Sequence, residues 1–138
     1  MAHMAKALTI ALMDAPYESA NSTTAFRIIA AALEKGLDVN VFAYEGAVSL
    51  TQKDQQPHAN AVKGTSLEEE RHPTTRAFVA ALQRLAEKRG VTLDWVNCGL
   101  CVDERGASSG IDGVRRGGPP DFLKMADASV GTLVIPTK

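Results

Sequence analysis

Two rhythms of apolar and polar positions alternate along this chain. The switches between them divide it into strands and helices. "KALTIALMDAP", Lys6 to Pro16, is a short apolar run stopped by Asp14 and Pro16, and it predicts a first strand. "NSTTAFRIIAAALEKG" follows with Phe26, Ile29, Ala30 and Leu33 on one stripe. It predicts a helix capped by Asn21 or Ser22 and ended by Gly36. "LDVNVFAYEGAV" alternates and is rich in β-branched residues, giving a second strand. A second helix is predicted over "PTTRAFVAALQRLAEKRG", with Pro73 in its first turn, Phe78, Leu82 and Leu85 on one face and basic residues before Gly90. "VTLDWVN" predicts a third strand, "DFLKMADAS" a short helix and "VGTLVIP", Val130 to Pro136, a last buried strand. Polar Ser49–His72 and glycine-rich Gly106–Pro120 are left as loops. A structureless loop as long as the first is unusual in a compact domain, so it is either a lid or contains short helical pieces.

Strands alternating with helices predict an α/β domain with a parallel, flavodoxin-like sheet and helices on both faces. Ligands of such sheets bind at the carboxyl ends of the strands. Three segments fall there: Asp14 to Thr24, the loop after the second strand, and the loop after the third. The loop Gln52 to His72 is expected to border the third of these.

The third segment carries the chain's only two cysteines, Cys98 and Cys101. Packing as small buried hydrophobes is their bland reading, but Asn97, Gly99, Asp103, Glu104 and Arg105 surround them with polarity. A zinc site wants four ligands, and only His58 and His72 could join the pair, without the usual spacing; both read as surface histidines, and no metal site is expected. Thioredoxin-type chemistry wants the pair at the start of a helix, and no strong helix is predicted after Cys101, although a disulfide between the two is within chemical reach. A persulfide carrier needs one exposed, activated thiolate and donors for an anionic sulfur. Arg105, Arg115 and Arg116 are candidate donors, while Asp103 and Glu104 oppose the thiolate.

Other features change the picture little. "SANSTTAF" offers hydroxyls at a helix start, where capping is the more common role than phosphate binding. Glu68 to Glu70 read as a solvated charge run. Trp95 and Tyr44 read as core aromatics. The 138 residues, 45% apolar and 22% charged, suit one domain, and a net charge of −1 gives no field for nucleic acid. No apolar run would span a bilayer and no signal peptide is visible. "MAHMAK" reads as an expression scar followed by a second initiator, Met4, leaving residues 6–138 as the domain. Paired cysteines without a secretory signal point to a reducing compartment, the cytoplasm.

"DAPYES" after the first strand, "GLDVNVFAYEGAV", a cysteine after the third strand and "VRRGG" downstream together resemble the DsrE-like sulfur-relay family, which includes the TusD and YchN types. The resemblance runs from Lys6 to Thr137. It implies a small α/β protein assembled as a homotrimer or homohexamer. It also implies a sulfurtransferase or sulfur carrier that needs no cofactor and exchanges sulfur with TusA-like or DsrC-like partner proteins. By position the persulfide-bearing cysteine is Cys101, with Cys98 resolving or protecting it and Asn97, Arg105, Arg115 and Arg116 around the site. The thiol of Cys101 is accordingly expected below the free-thiol value of about 8.5. A small-ligand binding module of the same fold, or a metal or redox site on the cysteine pair, are the alternatives. This chain departs from the family pattern in "VDERGASSGIDG", where the family cysteine runs directly into a helix of small residues, and in the additional Cys98.

Overall fold

The computed structural model describes residues 6–59, 64–66, 68, 73–107 and 109–137. The first five residues, read above as a scar, and His72 lie outside them. Strand β1 (Ala7–Leu12), helix α1 (Asn21–Glu34), β2 (Asp38–Ala43), a 3-10 helix (Glu45–Thr51), α2 (Thr75–Arg89), β3 (Leu93–Cys98), α3 (Gly99–Glu104), β4 (Val114–Gly117), α4 (Pro119–Asp127) and β5 (Gly131–Ile135) follow in order. The five strands form one parallel sheet ordered β4-β3-β2-β1-β5. The chain thus steps outward from β1 to β4 and returns to the far side of β1. The layering is the expected one, while the strand order is unlike that of flavodoxin itself.

In parallel register Ile10, Val41, Trp95 and Val114 line up across four strands, and the residues adjacent to them in sequence fall on the opposite face. On the first face Ile10, Val39, Val41 and Trp95 meet Phe26 and Ile29 of α1 and Val79 and Leu82 of α2. Phe26 touches both Phe78 and Trp95 with ring centroids at 5.5 and 6.4 Å, so this is where the helices lock onto the sheet. The second face is thinner: Phe42, Val96 and Cys98 meet Val102 of α3 and Met125 of α4, with Phe122 stacked on Phe42.

Local signals account for most element ends. Thr74 caps α2 by accepting from the Ala77 N–H, so Pro73 stands before the helix rather than in its first turn. Gly90, at φ 68°, ends it in the left-handed region that suits glycine. Asn21 and Ser22 do not cap α1; the cap residue is Ala20, without a side-chain bond. Asn21 instead reaches the Asp14 carboxylate and the Pro136 carbonyl, binding the loop after β1 to the end of β5.

Three expectations need correcting. Arg115 and Arg116 belong to β4 inside the glycine-rich stretch; a four-residue edge strand is too short to show a period, and its pairing with β3 makes it. Pro119 and Pro120 open α4 instead of ending the loop, using the free first-turn position where a missing N–H costs nothing. The last strand is not buried: β5 is an edge, and Leu133 and Val134 are 40% and 53% exposed. A continuous apolar run signals burial on both faces only for a strand with neighbours on both sides.

The start of the 3-10 helix is pressed against the loop after β1. A Cβ on Gly46 would lie 2.7 Å from the Ala15 Cβ and 2.8 Å from its backbone nitrogen. Gly46→Ala is therefore expected to lower the unfolding free energy by about 1–3 kcal/mol. Urea denaturation checks it as a lower midpoint at unchanged slope.

Candidate functional site: a thiol pair at the carboxyl edge of the sheet

Strand β3 ends in Cys98, and the chain turns at once into α3. Cys98 is the cap residue of that helix, with extended backbone, and Cys101 is its third residue. A six-residue helix opening with glycine and followed by Gly106 leaves too few periodic positions to be read from sequence. No strong helix was expected after Cys101, and the one present is short, but it begins between the two cysteines and so puts Cys98 at its cap.

The pair is split by depth. Cys98 is 6% exposed and joins the apolar cluster of Phe42, Val96, Val102 and Met125. Cys101 is half-buried and packs on the rim of that cluster beside Tyr44. Both thiols are free, and the Cys98 thiol is near enough to raise that of Cys101. On its other side the Cys101 Sγ accepts the backbone N–H of Glu45 at 3.2 Å.

Glu45 is a residue that sequence reasoning passed over as part of a strand. It follows β2, holds a left-handed backbone at φ 52°, and by that twist directs its N–H to Cys101. Such a conformation in a non-glycine residue costs on the order of 1–3 kcal/mol and is kept where the surroundings enforce it. The glutamate–glycine pair after an apolar strand was the available signal for a turn here.

Desolvation pushes the Cys101 thiol above its ordinary value. The Glu45 N–H works against that, and the Cys98 thiol and the Glu45 carboxylate add to the rise. The expectation of a depressed thiol is thereby overturned: desolvation outweighs the Glu45 N–H, and each of the three arginines is paired with a carboxylate. Arg105 pairs with Glu45 at 2.8 Å. Arg116 makes two bonds to Asp103, at 3.0 and 3.2 Å, and one to the Gly99 carbonyl, which holds the Asp103 carboxyl below its ordinary value. Arg115 bridges Asp94 of β3 and Asp121 of α4.

The predicted site residues do not share one pocket. Asn97, Arg115 and Arg116 line a cleft of about 290 Å³ with Val102, Ser109 and Gly110. Asn97 itself is buried; it accepts from the Trp95 indole and donates to the Thr51 hydroxyl, a structural position. Arg105 borders a second recess with Met13, Ala15, Glu18, Tyr44 and Glu45, between the loops after β1 and β2. Cys98 lies at a third, apolar recess of about 290 Å³ walled by Ala11, Phe42, Tyr44, Pro119, Phe122 and Val134. The loop after β2 does reach the site's edge: Gln52 bridges to Gly110, and the Lys53 N–H donates to the Ser109 carbonyl. His58 stands edge-on to Tyr17 of the loop after β1. Among the described residues no three His, Cys, Asp or Glu side chains gather as metal ligands, and no helix is long and apolar enough to cross a membrane.

A single five-stranded parallel sheet with helices packed on its faces defines a class of small α/β proteins. The sequence profile of the DsrE/DsrF-like family matches residues 6–134, and the chain belongs to that family. Among solved structures it is similar to the YchN protein of Escherichia coli, with a TM-score of 0.65 and 22% identity over 95% of this chain and 99% of that one. It is also similar to a conserved protein of unknown function from Bacteroides thetaiotaomicron, with a TM-score of 0.57 and 15% identity over 94% and 95% of the two chains. At these identities the likeness concerns the fold. No curated protein matches the chain.

The raised thiol gives a pH prediction with a definite sign. Only the thiolate alkylates, so Cys101 is expected to label with iodoacetamide more slowly than free cysteine at neutral pH and to accelerate on raising pH past the free-thiol range. Glu45→Gln removes one carboxylate that disfavours the thiolate. It is expected to shift the labelling profile to lower pH, measured as rate against pH in the Cys98→Ser background.

Proposed function

We propose that the protein is a sulfurtransferase or sulfur carrier of an intracellular relay, with Cys101 bearing a persulfide. The observation that carries this reading is the placement of Cys101. It is the accessible thiol of the pair, at the carboxyl edge of a DsrE-like sheet, with a backbone N–H already directed at its sulfur. The thiolate of Cys101 attacks the terminal sulfur of a donor persulfide, and the donor's thiolate leaves. An acceptor thiolate then takes the outer sulfur from Cys101. The Glu45 N–H steadies the sulfur through both transfers without being consumed. Arg105 lies beside it in the fold but is held by Glu45, so it contributes only where a partner displaces that carboxylate. Family membership supports TusA-like or DsrC-like carriers as partners and the cytoplasm as the place of action.

Leu123 of α4 and Val130, Leu133 and Val134 at β5 form an exposed apolar edge, which supports assembly with further copies as a homotrimer or homohexamer. The occupied arginines and the raised thiol favour a second reading, a binding module that uses the apolar recess beside Cys98 for a small ligand.

Mass spectrometry after incubation with inorganic polysulfide separates the two. The carrier gains one sulfur on Cys101 and loses that gain in Cys101→Ser; a protein that takes up no sulfur on Cys101 leaves the binding module. For assembly, light scattering is expected to give a mass above one subunit, reduced in Leu123→Asp. A monomer at micromolar concentration refutes the oligomer.

A further inference from the structure

The two cysteines are more than a carrier thiol and a spare. Cys98 ends β3 and caps α3, and Cys101 lies one turn along the same helix, so the backbone of strand and helix sets their spacing. Their side chains pack at one apolar cluster, one from the cap and one from the first turn of the same helix. Their exposure differs: Cys98 is 6% exposed, and Cys101 is the thiol that molecules in solution reach. A buried thiol one helical turn from an accessible one has that thiol as its natural reaction partner.

Resting on the persulfide reading above, we propose that Cys98 discharges Cys101 internally, releasing hydrosulfide and leaving a Cys98–Cys101 disulfide. The Cys98 sulfur attacks the Cys101 Sγ. A sulfur–sulfur bond forms between the two cysteines as the bond from the Cys101 Sγ to the outer sulfur breaks. The Cys98 proton leaves with the outer sulfur: Cys98–SH and Cys101–S–S⁻ become Cys98–S–S–Cys101 and HS⁻. The outer sulfur is reduced by two electrons and the cysteine pair is oxidised by two, so the step needs no outside oxidant. A dithiol reductant then restores the pair. Placement on adjoining elements makes the attack intramolecular, which favours it over capture by dilute thiols. Hydrosulfide is a better leaving group than an alkyl thiolate, so the inner sulfur is a competent target. A partner acceptor has to outrun this discharge, and sulfur not collected in time leaves as sulfide.

The experiment loads the full-length protein and its Cys98→Ser and Cys98→Ala variants with inorganic polysulfide. Excess is removed, and intact mass and free sulfide are followed with time. Two variants are used so that a folding defect in one, detected by circular dichroism, does not decide the result. The unsubstituted protein is expected to lose its extra sulfur, release one equivalent of sulfide and show the Cys98–Cys101 disulfide in a peptide map. The variants are expected to keep the persulfide about tenfold longer or more. Equal persulfide lifetimes, or sulfide release without that disulfide, overturn the inference and leave the carrier reading standing. Failure of every form to take up sulfur on Cys101 overturns both. Diamide oxidation tests the pair without sulfur: a protein that forms no Cys98–Cys101 disulfide overturns the inference alone.

Discussion

The site depends on how closely two backbone segments approach at the carboxyl edge of the sheet. Gly46 lies against Ala15 with no room for a methyl group, and the Ala47 N–H donates to the Met13 carbonyl at 3.2 Å. That contact seats the 3-10 helix over the end of β1. With the helix seated, Glu45 is forced into its left-handed twist and its N–H faces Cys101. Parallel strands make this possible, because each crossover returns the chain to the same edge and stacks successive loops there. A donor for sulfur therefore comes from backbone of the second loop, and the thiol from a helix of the third.

Charge at this edge is arranged to be quiet. Each arginine near the cysteines is answered by a carboxylate, and the ion pairs are solvent-exposed. Exposed pairs contribute little to stability, on the order of 0–1 kcal/mol. Their larger effect is on reactivity, since a satisfied guanidinium does not draw out a thiolate. Partial burial then holds the Cys101 thiol above its ordinary value. The Arg105–Glu45 pair thus ties a cation to the very residue whose N–H meets the Cys101 sulfur.

Elements with several periods were legible in the sequence: the amphipathic stripe of α1, the helix of α2 and the β-branched run of β2 all emerged as elements, with ends that differ from those read. The parallel class followed from their alternation. What stayed hidden has a common physical cause. Strand β4 and helix α3 have four and six residues, too few for a period, and exist because β3 pairs with one and Val102 packs under the other. The exposure of β5 is a matter of strand order, which no local pattern carries. The cysteines were found because their residue type is rare here. Glu45 was missed because it acts through its backbone, which every residue type shares. Arg105, Arg115 and Arg116 were singled out by their charge, but the carboxylates that pair with them lie as far as 60 positions away in the chain.

Trp95 carries a last consequence. It is the chain's single tryptophan, wholly buried, and its indole donates to Asn97, the residue next to Cys98. Only Val96 and Asn97 separate it from Cys98 along β3, yet its ring belongs to the main core cluster and the thiols to the other. Indole emission responds to the polarity and hydrogen bonding around the ring. The protein's tryptophan emission therefore comes from one ring, and a single fluorescence signal reports the integrity of the core that α1 and α2 close over the sheet.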